Sequence, residues 1–134
     1  MAIADASGLP YALHVASASP HEVKLVRETL NRRFLSQLPE RIIGDKAYDS
    51  DPLDRELAAL GVEMIAPHKR NRVKLKTQDG RPLRRYRKRW KVERLFAWLQ
   101  NYRRISTRWE YHLENFLGMV QLGCALILIK SLLG

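Results

Sequence analysis

Hydrophobic and polar positions change period several times along the chain, and each change marks an element. Residues 1–5 read as the end of a strand, followed by a turn at Ala6-Ser7-Gly8. From Leu9 to Ala18, Tyr11, Leu13 and Val15 alternate against Ala12, His14 and Ala16, which is the period of a second strand. The spacing then lengthens. Val23, Val26, Leu30, Phe34 and Leu38 share one helical face, with Ser19 as N-cap, Pro20 at the first helical position and a stop near Pro39. A short strand over 41–44 ends on Asp45. Asp49 or Ser50 caps the next helix, which turns Leu53, Leu57 and Leu60 inward and stops at Gly61. Val62 to Ala66 is one more apolar strand, closed by Pro67.

From His68 to Arg85 no apolar face persists. The stretch is basic, with Asp79-Gly80 as a turn, and reads as a mobile hairpin loop ordered mainly by a partner. Helical periodicity returns between Tyr86 and Arg104, where Val92, Leu95, Phe96, Leu99 and Tyr102 form a stripe suited to a core. After a break near Ser106-Thr107, a last helix spans about 110–133. It is apolar nearly all round from Leu122 to Ile129 and is expected to be largely buried. A membrane span is the rival reading, and Gln121, Lys130, Ser131 and the shortness of the run argue against it.

These elements divide one α/β domain over 1–134 into a β-β-α-β-α-β part (1–66), a basic loop (67–85) and C-terminal helices (86–134). The first turn makes strands one and two antiparallel. The crossover through the 20–38 helix makes the Tyr11 and Ile42 strands parallel.

Charge adds what periodicity cannot show. The net charge is +10, and 16 of the 24 lysines and arginines fall between Lys69 and Arg108, opposed there only by Asp79 and Glu93. Such clustering is the footprint of a polyanion binder, with nucleic acid the leading partner. A solvated basic tail would lack the apolar stripe that runs through it. The 46% apolar content suffices for a core and excludes a disordered chain. The single cysteine, Cys124, leaves no disulfide framework or cysteine-rich metal site and fits a reducing cytoplasm. MAIADASGLP has neither the charged nor the apolar region of a signal peptide.

Two carboxylates stand out. Asp45 lies at the C-terminal end of a strand, the edge where open α/β sheets build their sites, and it is four residues too early to cap the helix that follows. Glu93 is the one acid of the basic helix. An ion pair with Arg89 one turn earlier would account for it, as would a shared role with Asp45. Metal-assisted phosphodiester cleavage needs carboxylates from separate elements converging on hard, oxygen-seeking Mg²⁺, with bases nearby to position phosphates.

The segments IIGDKAYDSD, GVEMIAPHKRNR and YRKRWKVERLFAWLQNYRRISTRWEYH resemble bacterial insertion-sequence transposases of the DDE type. The family's glutamate lies in a Y-x2-R-x3-E-x6-K signature, which falls here as Tyr86, Arg89 and Glu93, with Gln100 at the lysine position. The resemblance implies an RNase H-like mixed sheet flanked by helices, and Mg²⁺ (or Mn²⁺) as cofactor. Asp45 and Glu93 are then catalytic metal ligands, and Tyr86 and Arg89 contact transposon-end DNA. Lys69, Arg70, Arg72 and Lys74 of the loop, with Arg103 and Arg104, are the further bases expected on transposon-end and target DNA.

The family's first aspartate belongs to a strand preceding the one that opens this chain. Asp5 lies at the wrong edge to replace it. The chain therefore reads as the C-terminal part of a transposase that cleaves and transfers DNA strands, inactive alone. The alternative is a truncated remnant that binds DNA or full-length transposase as an inhibitor. The partners implied are DNA, an upstream-frame product or full-length transposase, and a second copy in the active state, in the nucleoid-associated bacterial cytoplasm with no membrane.

Overall fold

The computed structural model describes residues 1–77 and 83–134. β1 (Ala2–Ala4) and β2 (Pro10–Leu13) form an antiparallel hairpin. Asp5 closes its turn by accepting the Ser7 and Leu9 N–H groups on Oδ1 at 2.7 and 2.8 Å. There follow α1 (Glu22–Asn31), β3 (Arg41–Ile43), a 3-10 helix at Lys46–Tyr48, α2 (Asp51–Ala59) and β4 (Glu63–Ile65). β3 and β4 pair in parallel, with Ile42 opposite Met64. A second 3-10 helix, Arg84–Arg89, leads into α3 (Trp90–Gln100), then a one-turn α4 (Arg103–Ser106) and the long α5 (Leu113–Leu133).

The mixed α/β character expected from the sequence is present, but among the described residues the strands form two two-stranded sheets and not one mixed sheet. Among the described residues the Tyr11 and Ile42 strands are not hydrogen-bonded neighbours, and the chain that leaves α1 takes a course of its own. α1 stops at Asn31, seven residues before the expected end, because the chain turns back along β2. Arg33 bridges Ala12, and the Phe34 N–H donates to the Tyr11 carbonyl at 2.9 Å. Arg33 also donates to the Leu30 and Ser36 carbonyls, fixing the reversal. That segment occupies the edge of β2 opposite β1. Phe34, expected inward, is accordingly exposed. The helix also starts later than Ser19-Pro20 suggested, at an uncapped His21.

Two cores result. Val26, Leu30, Ile42, Leu53, Leu57, Val62, Met64 and Ala66 form one, between α1, α2 and the β3–β4 pair. Leu13, Leu95, Leu99, Val120, Cys124 and Ile127 form the other, where α3 and α5 pack on the hairpin. Met1 and Ile3 face the first core, and Ala2 and Ala4 face the second, so β1 alternates between them with the strand period of two.

The continuous helix expected over Tyr86–Arg104 is broken into three. Its first part, RRYRKR, sets like charges at i, i+4 (Arg84 with Lys88, Arg85 with Arg89), which weakens α-helical turns, and the backbone takes the tighter 3-10 form there. Tyr102 is extended and heads α4. The stripe itself is real at Leu95 and Leu99, whereas Phe96 is exposed. α5 departs from expectation in burial. Val120, Gly123, Cys124 and Ile127 are buried, but Leu122, Ile129 and Leu133 are 54%, 50% and 82% exposed. By length and composition α5 is apolar enough to cross a membrane, yet one face of it is part of the second core.

α3 is also held to the hairpin by its charges. Lys91 donates to the Ala6 carbonyl and Arg94 to the Ser7 carbonyl, while the Arg94 guanidinium lies between the Trp90 and Trp98 rings at 4.9 and 4.8 Å. Gly8, at φ +84°, leaves room for this contact, because a Cβ there would fall on the Arg94 guanidinium. Gly61 has a similar φ of +75° with nothing near its missing Cβ. Gly61→Ala is therefore expected to cost only the left-handed backbone strain, about 1 kcal/mol, and Gly8→Ala roughly 2 kcal/mol or more. Urea unfolding of the two variants measures the difference, and equal losses would show that Arg94 does not hold the turn.

Candidate active site

Asp45 follows β3 directly, and the Gly44 N–H continues the parallel ladder to the Ile65 carbonyl at 2.9 Å. Its Oδ1 accepts the Ala47 N–H at 2.8 Å, so Asp45 caps the 3-10 helix that re-aims the chain toward α2. Its Oδ2 faces Arg89 Nη1 at 3.7 Å. Glu93, one turn into α3, receives the other arm of the same guanidinium, with Arg89 Nη2 3.1 Å from Oε1. The i, i+4 pair expected from the sequence thus forms, and it is shared with Asp45. The two guanidinium nitrogens are about 2.3 Å apart in that rigid fork, so these carboxylate oxygens lie at most about 9 Å apart. The Tyr86 ring lies 5.5 Å from the Arg89 guanidinium carbon. Asp45, Glu93 and Arg89 are all partly open to solvent.

Hard carboxylate oxygens suit a divalent cation, and Mg²⁺ characteristically takes one or two carboxylates and fills its shell with water and phosphate oxygens. Asp45 and Glu93 are donors of that kind. They do not suffice for a pair, because no group of three or more His, Cys, Asp or Glu side chains converges among the described residues. Beside the site, burial raises the Tyr48 hydroxyl to about 12, and the neighbouring Glu22 and Asp45 carboxylates push the same way.

The loop after β4 carries a second acid–base cluster, which the sequence did not reveal. Asp49, expected to cap α2, instead points its carboxylate at this loop, and Ser50 takes the N-cap position. Asp49, with its side chain 4% exposed, accepts from His68 Nδ1, the Lys69 N–H and Arg72 Nη1 at 2.9, 2.8 and 2.8 Å. Arg72 Nη2 reaches Asp51 at 2.7 Å, and Lys74 approaches Asp51 at 3.4 Å. Burial alone would raise the Asp49 pKa, but the Lys69 amide, His68 and Arg72 outweigh it and hold the carboxyl below its ordinary 3.8.

The described part of the loop is therefore tied to the protein's own acids. It forms no strand, and the expected turn at Asp79-Gly80 lies outside the described residues. A cleft of about 350 Å³ beside this cluster is lined by Asp49, Asp51, Lys69, Arg72 and Lys74, without Asp45 or Glu93. The only sequence signal for the cluster was the acid-rich DSD run facing a His-Lys-Arg run across β4.

Comparison with known proteins identifies the family. The Transposase DDE domain family matches residues 1–128. The chain belongs to the DDE transposase family. It is 30% identical over 97% of its length to a putative transposase for insertion sequence element IS402 of Burkholderia cepacia, and spans 62% of that protein. It is 38% identical over 66% of its length to a putative transposase for insertion sequence element IS6501 of Brucella ovis, and covers 67% of it. No solved structure matches the chain significantly.

The bases expected to meet DNA in this transposase domain separate into two groups. Lys69, Arg70 and Arg103 are exposed, as are Arg84, Arg85, Arg87 and Lys88 of the second 3-10 helix. Arg72 is drawn into the Asp49–Asp51 cluster, Arg89 into the carboxylate pair, and Arg104 lies 3.4 Å from Glu110. Lys74, though exposed, faces Asp51. Arg72 is a correction to the sequence expectation, since its guanidinium is 9% exposed and already satisfied by two carboxylates.

The cluster generates a pH prediction. A carboxyl held below 3.8 in the folded chain contributes stability that is complete above that value and lost as pH falls through the lowered one. Hydrogen exchange at the Lys69 amide is expected to accelerate, relative to its intrinsic rate, only below pH 3.8. Asp49→Asn is expected to free the loop at neutral pH, with trypsin cutting near Lys69 and Arg70 about tenfold faster. Unchanged cleavage would show that the tether does not hold the loop.

Proposed function

We propose that this chain is the C-terminal part of an insertion-sequence transposase's catalytic domain, with Asp45 and Glu93 as two of its metal-holding carboxylates. The observation that carries the proposal is the meeting of these two acids, from the end of β3 and from α3, on one arginine of a strongly basic segment. A divalent cation held there would polarise phosphate oxygens during strand cleavage and transfer. Asp45, fixed by its cap bond to Ala47, and Glu93, fixed by the packing of Leu95 and Leu99, supply its protein oxygens. Tyr86 and Arg89 lie beside them, where a scissile phosphate would enter. The exposed bases Lys69, Arg70, Lys88 and Arg103 bind the flanking phosphates.

We further propose that a strand bearing the family's first aspartate lies between β1 and β3 and joins the two sheets into one RNase H-like sheet. Two facts support this. Among the described residues β1 pairs only with β2, and β3 only with β4, while Met1 and Ile3 share a core with Ile42 and Met64. The chain also spans about 62% of its IS402 relative.

The test uses the purified chain and a labelled duplex. DNA affinity is expected to fall at least about 100-fold between roughly 50 and 200 mM salt, as four or more phosphate contacts require. With Mg²⁺ or Mn²⁺ the chain alone is expected not to cleave. Fusion to an N-terminal strand carrying the first aspartate is expected to restore cleavage, and Asp45→Asn or Glu93→Gln to abolish it while DNA binding persists. Metal-dependent nicking by the lone chain that Glu93→Gln abolishes would show that no further strand is needed. Cleavage by the fusion that survives both substitutions would overturn the site. A fusion that binds DNA and stays inactive would favour the inhibitor reading.

A further inference from the structure

Arg89 holds the position that a metal would need. Its two terminal nitrogens address Asp45 and Glu93 from between them, at 3.7 and 3.1 Å, and no other cation contacts either carboxylate at ion-pair distance among the described residues. A guanidinium and a divalent cation cannot both sit there, because the guanidinium fills the space between the two carboxylates that the ion would take, and the two are like charges. We infer that Arg89 is the built-in counter-ion of the metal-free site, and that divalent cation and DNA phosphate displace it together. The inference rests on the reading of Asp45 and Glu93 as metal-holding carboxylates.

The chemistry of the exchange is balanced. Asp45 and Glu93 turn negative charge toward one point, where a positive charge offsets their repulsion. Arg89 supplies that charge without metal, and a divalent ion supplies it afterwards. The released guanidinium then meets a phosphate, for which its planar two-toothed fork is suited. Release is easy because all three groups are partly exposed, and exposed ion pairs are individually weak. The Tyr86 ring, 5.5 Å from the guanidinium carbon, gives the arginine an apolar surface to rest on while it serves either role. By linkage, metal and DNA must then favour each other's binding, since each removes what opposes the other.

Mn²⁺ binding to the full chain, followed by the electron paramagnetic resonance of the free ion, tests this without any need for cleavage. Arg89→Gln is expected to bind Mn²⁺ about tenfold more tightly than the unaltered chain, the scale of two exposed ion pairs lost. Arg89→Lys keeps one charge in place but cannot address both acids, and is expected to fall between the two. The gain should vanish in Arg89→Gln/Asp45→Asn and Arg89→Gln/Glu93→Gln. A second arm measures duplex affinity without metal. Glu93→Gln should strengthen DNA binding several-fold in the unaltered background but not with Arg89→Gln, which isolates the coupling between the two residues.

Mn²⁺ affinity unchanged by Arg89→Gln but weakened by Asp45→Asn would overturn the counter-ion role while leaving the metal site intact. An equal DNA gain from Glu93→Gln in both backgrounds would likewise overturn it, since the gain would then be simple removal of a negative charge. Mn²⁺ binding indifferent to Asp45 and Glu93 in every background would overturn both this inference and the site reading on which it rests.

Discussion

The hairpin β1–β2 is covered on both sides, and the rest of the structure depends on that. One core packs against Met1 and Ile3, the other against Ala2, Ala4, Leu9 and Leu13. Asp45 belongs to the β3 side and Glu93 to the α3 side, so the distance between the two acids is set by how each core leans on a shared pair of short strands. The clamp of Lys91 and Arg94 on the Ala6 and Ser7 carbonyls fixes the α3 side to the hairpin turn. Dispersion and cation–π contact with Trp90 and Trp98 hold Arg94 in place, even though its Nε has no hydrogen-bond partner among the described residues.

The basic residues therefore do two kinds of work. Lys91, Arg94, Arg33 and Arg72 are structural, each spent on carbonyls or carboxylates of the chain itself. Others, such as Arg70 and Arg103, are exposed and available to an external polyanion. A net charge of +10 overstates the surface that DNA could use, because internal acids and carbonyls claim a share of it.

Much of the architecture was legible in the sequence. Strands near Ile3, Tyr11, Ile42 and Met64, the helix ending at Gly61 and the buried Leu95 and Leu99 all follow from period and punctuation. So does the Arg89–Glu93 pair. What was not legible depends on contacts between distant segments. Nothing local says that Arg33 and Phe34 leave a good helical stripe to bridge Ala12 and Tyr11, because the alternative bonds come from β2, more than twenty residues earlier. The Asp49 tether was hidden for the same reason. An aspartate just before a helix looks like a cap, and only the return of β4 brings His68 and Arg72 to it. α5 reads as buried all round because composition records what a helix could bury, not how much of the protein is there to cover it.

The division into two cores bears on the order of folding. Contacts within the first core run mostly between neighbours in sequence, from α1 through β4, and such contacts form early because short loops cost little entropy to close. The second core must bring Leu13 to residues beyond 95, a far longer closure. This ordering is expected to place Asp45 before Glu93, so that the two acids meet when the second core docks. A chain halted between the two steps would carry its cationic segment with the two acids still apart.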